Sequence, residues 1–276
     1  MADTVYCDER LSSLPIDAVA PTQAVSPVVR RAVGVLVGLG TQLIFMATVV
    51  WLFRFLQGTW PRASGSTLHS YLLIDSLLCL QFALPHSVLL HPVTQRTLTP
   101  WIGRAFYGCF FCCITCLNLW VVFVGWQSSD IVLIDLHGLA KQVVVCLFGA
   151  SWAALFYSLS LNGLGYQTGW TPFWYWLCRR PEPRREFRER GAYRWFRHPI
   201  YLSFLGLLWF TPRVTLDRAL LIAIWSVYIY VGSILKDRRL SFYLGAMYRE
   251  YAARVPGYPG LTRGPLGRLP DMDTRR

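Results

Sequence analysis

Apolar and polar positions alternate along this chain on the scale of whole segments. Four runs, 32–55, 68–90, 103–126 and 138–161, are each long enough to cross a bilayer as a helix, at about 20 residues per span. A fifth apolar stretch follows Tyr201, stops at Thr211-Pro212-Arg213, and resumes over 216–235. That break predicts a helical hairpin whose first arm is short or interrupted. From Lys236 onward the pattern LxxxLGxxYxxY, running through Tyr251, predicts an amphipathic helix on the membrane face. The whole pattern predicts an all-α polytopic membrane bundle of about six apolar segments, ending in a hairpin and a cytoplasmic amphipathic tail. Residues 1–30, with prolines, serines and scattered acids, are expected to be a disordered cytoplasmic tail; 31–257 form the membrane domain; the Pro/Gly-rich 258–276 form a flexible tail.

Charge gives this pattern a direction. The formal net charge of +12 is almost wholly arginine, since Lys141 and Lys236 are the only lysines. Eight arginines lie within 179–197, whereas the loop 127–137 carries Asp130 and Asp135 and no lysine or arginine. The positive-inside rule puts the arginine loop in the cytoplasm and the acidic loop outside, and both termini then fall inside. A bacterial inner membrane suits this arrangement. Basic residues packed between apolar runs face anionic headgroups, so the partner they imply is membrane lipid and not nucleic acid.

Few polar side chains interrupt the runs. Asp75 and His86, eleven residues apart, share one face of a helix with Cys79 and Phe82. Ionisable groups within a span are costly and mark functional sites or interhelical hydrogen bonds. The spacing CxxCCxxC at Cys109, Cys112, Cys113 and Cys116 suggests metal out of context. On a helix the outer pair is separated by about 10 Å of rise, too far for one ion with Zn–S bonds of about 2.3 Å, so no metal is expected there. After the fourth run, Asn162 and Gln167 sit in a glycine- and aromatic-rich segment suited to the headgroup level.

The chemistry concentrates in Gly191 to Tyr201, GAYRWFRHPIY. Pro199 suits the first turn of a helix, so His198-Pro199 marks a helix start; its free N–H groups, with Arg194 and Arg197 beside it, make a place for a small anion. The alternative is that these arginines meet lipid headgroups while Trp195 and Phe196 anchor the interface.

The segment YRWFRHPIYLSFLGLLW resembles the RHPxYxG signature of integral-membrane methyltransferases related to isoprenylcysteine carboxyl methyltransferase and the phospholipid methyltransferases. DRRLSFYLGAMYREYAARVP is similar to the second signature of that family, EExxLxxxFGxxYxxYxxxxP. Upstream, FALPHSVLLHPVTQR and SLSLNGLGYQ resemble stretches of the bacterial methanethiol S-methyltransferases. The resemblance implies S-adenosylmethionine as cofactor, held by Tyr193, Arg194, Arg197, His198, Pro199, Tyr201 and Asp237. It implies a small thiol acceptor such as methanethiol, giving dimethyl sulfide, near Asp75, His86, Asn162 and Gln167. His86 or Arg197 then helps expose the thiolate. Methyl transfer from a sulfonium to a thiolate needs placement and exclusion of water more than acid–base machinery. The chain departs from the pattern at two positions. Lys236-Asp237 replaces two adjacent glutamates, and Ser203 replaces the final glycine of RHPxYxG. Two alternatives therefore stay open: a non-catalytic membrane protein of the NnrU type, or an enzyme acting on a lipid or isoprenylcysteine-like acceptor.

Overall fold

Each long apolar run is a helix in the computed structural model, which describes residues 26–58, 68–183 and 187–269. In chain order the helices are α1 (Pro27–Gln57), α2 (Leu68–Leu90), α3 (Pro92–Ile102), α4 (Tyr107–Gly125), α5 (Gly138–Leu161), α6 (Leu164–Gln167), α7 (Trp170–Leu177), α8 (Pro199–Trp209), α9 (Leu216–Leu244) and α10 (Ala246–Arg254). Five of them, α1, α2, α4, α5 and α9, are long and apolar enough to span a bilayer. The chain is a multi-pass membrane protein. Its sixth apolar segment is α8, which at 11 residues rises only about 17 Å and does not span alone. The remaining distance is covered by Phe210 to Pro212 and a short strand.

That strand, β2 (Arg213–Thr215), pairs antiparallel with β1 (Val132–Asp135) from the loop between α4 and α5, with Val132 opposite Thr215 and Asp135 opposite Arg213. The pairing joins the far end of the α8–α9 hairpin to the α4–α5 loop. It defines a sheet end of the bundle, opposite the arginine end, which carries Arg179, Arg180, Arg188, Arg190, Arg194 and Arg197.

Around the bundle, α1 packs on α4, α4 on α2, α2 on α9, α9 on α8 and α8 on α5. Phe53 of α1 closes the circuit against Phe148 and Trp152 of α5, with ring centroids 5.7 and 5.6 Å apart. The interior is aromatic and aliphatic: Phe55, Phe123, Trp126, Trp152, Leu207, Leu221 and Trp225 form one cluster. Outward positions such as Leu36, Leu43, Val124 and Leu139 are exposed. This apolar outer belt matches hydrocarbon as solvent.

Local chemistry explains the ends. Ser26 caps α1 by accepting from Val29 N, and Pro27 occupies the first turn, where a missing N–H costs nothing. α3 was not predicted; it starts the same way, with the His91 ring accepting from Val93 N and Pro92 following. The cysteine run makes helix contacts: Cys109 Sγ donates to Gly169 O at 3.7 Å and Cys113 meets Thr41 Oγ1 at 3.4 Å. A side chain at Gly169 would lie 2.2 Å from Cys109 N, so α4 and α7 approach here only through glycine. The predicted tail 1–30 falls mostly outside the described residues, but Pro27 to Arg30 belong to α1.

Candidate active site

α8 begins part-way down the bundle because the chain before it is held in place from several sides. Residues Gly191–Arg194 form a 3-10 turn pressed against the end of α5, where a side chain on Gly191 would meet Tyr157 Oη and Leu161 Cδ1 at 2.5 Å. Tyr251 Oη then donates to Tyr193 O at 2.6 Å. Arg197 N donates to Pro256 O and His198 N to Gly257 O, at 2.9 and 3.2 Å. Gly257 must be glycine for this approach, since a Cβ there would lie 2.5 Å from Leu266 O and 3.2 Å from His198 Cδ2.

This stitching buries Arg197 and His198 completely beside Asp237 of α9. Arg197 Nη2 donates to Asp237 Oδ2 at 2.8 Å, while Nη1 donates to the carbonyls of Ala252, Val255 and Gly267 at 3.0, 2.7 and 2.9 Å. Tyr248 Oη donates to the other oxygen of Asp237. His198 Nε2 lies 3.2 Å from Asp237 Oδ2. Burial holds the His198 pKa below its ordinary value despite the attraction of Asp237. A neutral imidazole facing an arginine-bound carboxylate carries its proton on Nε2, which leaves Nδ1 as a buried acceptor. That Nδ1 has no hydrogen-bond partner among the described residues, and neither has Tyr193 Oη.

Aromatic rings enclose the network. His198 stacks on Tyr201 at 5.6 Å and meets Tyr258 at 5.5 Å. Ser233 Oγ donates to Ile229 O, so Tyr258 Oη is the donor in its 2.7 Å bond to Ser233. Burial pushes the Tyr258 phenol up to about 12. Lys236 Nζ lies 5.6 Å from the Tyr193 ring centre and 5.4 Å from that of Tyr201. The result is a buried charge network with an unpartnered acceptor, an unpartnered hydroxyl and two ring faces turned toward a cation.

Of the predicted cofactor residues, the structure brings together Tyr193, Arg197, His198, Pro199, Tyr201 and Asp237. Arg194 is not among them: its Nε donates to Glu189 O at 3.2 Å and the side chain is exposed. Arg197 is in the cluster, but its two terminal nitrogens are occupied by protein acceptors. The helix start therefore presents no free arginine fork.

The predicted acceptor residues are dispersed. His86 packs between α2, α4 and α9, stacked on Phe82 at 5.3 Å, beside Phe111 at 5.2 Å and with Nδ1 3.4 Å from Thr115 Oγ1. Its neighbour on α9 is Tyr228, two and a half turns or about 14 Å of rise from Asp237. Asp75 does share the buried face with Cys79 and Phe82, yet eleven residues is about 16 Å of helix. It lies at the sheet end, where Oδ1 accepts from Gln127 N at 2.9 Å. Asn162 terminates α5 with its backbone N–H on Ser158 O, and Gln167 closes α6, both at the arginine end.

Residues missed by the sequence reading complete the network: Tyr248, Tyr251 and Tyr258, with the carbonyls of Ala252, Val255 and Gly267. The tyrosines of α10 read as an amphipathic surface, but Tyr248 and Tyr251 are buried with Phe187 packed on them. Past the predicted tail boundary at 258, Tyr258 is buried and Leu269 N donates to Ala252 O at 3.0 Å. The YxxY spacing within the second signature was the available signal.

Across 238 residues the chain is 27% identical to methanethiol S-methyltransferase 1 of Bradyrhizobium diazoefficiens, covering 82% of this chain and 81% of that protein. The chain is similar to methanethiol S-methyltransferases over about four-fifths of its length. A second, from a Pseudomonas species (strain GM41), is 26% identical over 243 residues, covering 82% of this chain and 89% of the relative. Nurim of Xenopus laevis is 25% identical over 214 residues, 70% of this chain and 73% of its own length. No family profile matches the chain, and no solved structure matches it.

Proposed function

We propose that this protein is an S-adenosylmethionine-dependent methyltransferase acting on a small thiol such as methanethiol, with its active site at a cytoplasmic face and both termini in the cytoplasm of a bacterial inner membrane. The observation that carries this reading is convergence. Two signatures about forty residues apart in sequence meet at Arg197, His198 and Asp237, with the faces of Tyr193 and Tyr201 turned toward a cation. The names of the relatives supply the thiol.

The residues present suit the cofactor. The ring faces of Tyr193 and Tyr201 are taken by Lys236 Nζ, so the fit rests on the polar groups beside them. The lone pair of His198 Nδ1 and the hydroxyl of Tyr193, both buried and unpartnered, suit donors such as an ammonium or ribose hydroxyl. When bound, S-adenosylmethionine supplies an electrophilic methyl group on a sulfonium. The chain's own part is positional. Arg197 ties 252–267 to the start of α8, Asp237 fixes the Nε2–H tautomer of His198, and the tyrosines exclude water. His86, above the ring of Phe82, is a residue for the path or pocket of the acceptor.

Titration calorimetry on detergent-purified protein tests this reading. Saturable binding of S-adenosylmethionine, weakened more than about tenfold in both His198→Gln and Asp237→Asn, is expected, together with transfer of labelled methyl to methanethiol. A folded parent protein that binds no S-adenosylmethionine would overturn it. One observation favours a non-catalytic reading instead: the position of the first family glutamate is the cation Lys236, which sits between the rings.

A further inference from the structure

Lys236 has a position that its neighbours explain. It lies one turn beyond Gly232 on α9, and even a Cβ on Gly232 would come within 3.9 Å of Tyr201 Oη, so that face of α9 is open to the tyrosine. The lysine stem therefore passes along the ring and its ammonium reaches both Tyr193 and Tyr201, inside the roughly 6 Å range of cation–π attraction. The adjacent Asp237 carboxylate attracts it but makes no direct ion pair with it. Both Asp237 oxygens are held by Arg197, His198 and Tyr248, and no ion pair to Lys236 forms among the described residues. The ring pair is thus filled by a cation that belongs to the chain.

We propose that Lys236 is a resident cation that biases this site against positively charged occupants and toward neutral or anionic ones, making it a specificity-determining residue. This rests on the methyltransferase reading of the same site. A sulfonium placed near these rings meets the ammonium within several ångströms, and solvent screening at the half-buried lysine leaves a penalty of about tenfold in binding. The thioether left after methyl transfer is neutral and escapes that penalty. An anionic thiolate is attracted. A neutral amine acceptor, whose methylation creates a new cation, is disfavoured. The departure from the family pattern at 236 thereby selects for a reaction in which charge is cancelled: the thiolate sulfur forms its bond to the methyl carbon, the sulfonium–methyl bond breaks with its electron pair remaining on the donor sulfur, and two neutral thioethers result.

Binding, without turnover, tests the proposal. Calorimetry compares S-adenosylmethionine with S-adenosylhomocysteine on the wild type, Lys236→Gln and Lys236→Arg. The wild type is expected to prefer the neutral thioether by about tenfold or more, Lys236→Arg to keep that preference, and Lys236→Gln to bring the two affinities within about threefold. A preference unchanged in Lys236→Gln, or both affinities shifted equally, would overturn it while leaving the methyltransferase reading intact. If neither compound binds any of the three folded proteins, the methyltransferase reading falls and the proposal falls with it.

Discussion

Helix α9 buries one aspartate near each end, and the two are satisfied in different ways. Asp217 and Asp237 are twenty residues apart, about 30 Å of helix, which is also the thickness of a bilayer's hydrocarbon core. At the sheet end, Asp217 accepts from Trp126 Nε1 at 3.0 Å and from Ser129 N at 3.1 Å. These are neutral donors from one loop, and they lock the α4–α5 connection onto the start of α9. A cavity of about 30 Å³ lies beside them, room for about one water. At the arginine end, Asp237 gathers an arginine, a histidine and a tyrosine from two parts of the chain. One carboxylate fastens a loop, whereas the other organises ionisable groups and leaves polar atoms unpartnered around a cation. Burial of an acid in a membrane protein therefore does not by itself identify a site; the nature of its partners does.

The largest effect expected from breaking this contrast is at Asp237. Asp237→Ala leaves Arg197 buried without its counter-charge, at a cost of about 3–5 kcal/mol, and methyl transfer is lost; thermal unfolding in detergent and a labelled-methyl assay measure the two. Asp217→Ala removes two buried hydrogen bonds, costs about 1–3 kcal/mol by the same unfolding measurement, and leaves turnover per folded molecule unchanged. Equal loss of turnover in both variants would erase the distinction between the two ends.

Gly257→Ala tests the arginine end without touching a charge. The added Cβ forces Leu266 away, so donor affinity should fall about tenfold by calorimetry with a stability loss of about 1–3 kcal/mol. The smallest effect is that of pH. The His198 pKa is depressed in the folded state, so the neutral imidazole favours folding above the ordinary histidine range of about 6.5, and that contribution is lost as pH falls below it. The melting midpoint should drop on acidification to about pH 5, and His198→Gln should flatten that part of the slope. A slope unchanged in His198→Gln would remove His198 from this account.

The bundle was legible because a span needs about twenty apolar residues, and nothing else in the chain mimics that. β1 and β2 were not: four residues and three, about eighty positions apart, leave no periodicity to read. Asp75 and His86 show the limit of the helical wheel, which gives a shared face but ignores rise, so of two residues on one stripe one lies at the sheet end and the other level with the middle of α9. Arg197, His198 and Asp237 were found through the two signatures, but their mutual contact was not. The tyrosines of α10 were misassigned because an amphipathic pattern looks the same whether its apolar side meets lipid or protein.

The bonds from Arg197 to the carbonyls of Ala252 and Gly267 join residues separated by 55 and 70 positions. Synthesis is vectorial, so Arg197 leaves the ribosome well before any of these acceptors exists. The nascent chain must keep that guanidinium hydrated at the membrane surface until α9 has inserted and the segment after α10 has folded back. Completion of the Arg197–Asp237 centre is consequently a late event in folding: a chain cut short within that segment keeps the ion pair to Asp237 but leaves Arg197 Nη1 without its full set of carbonyl acceptors.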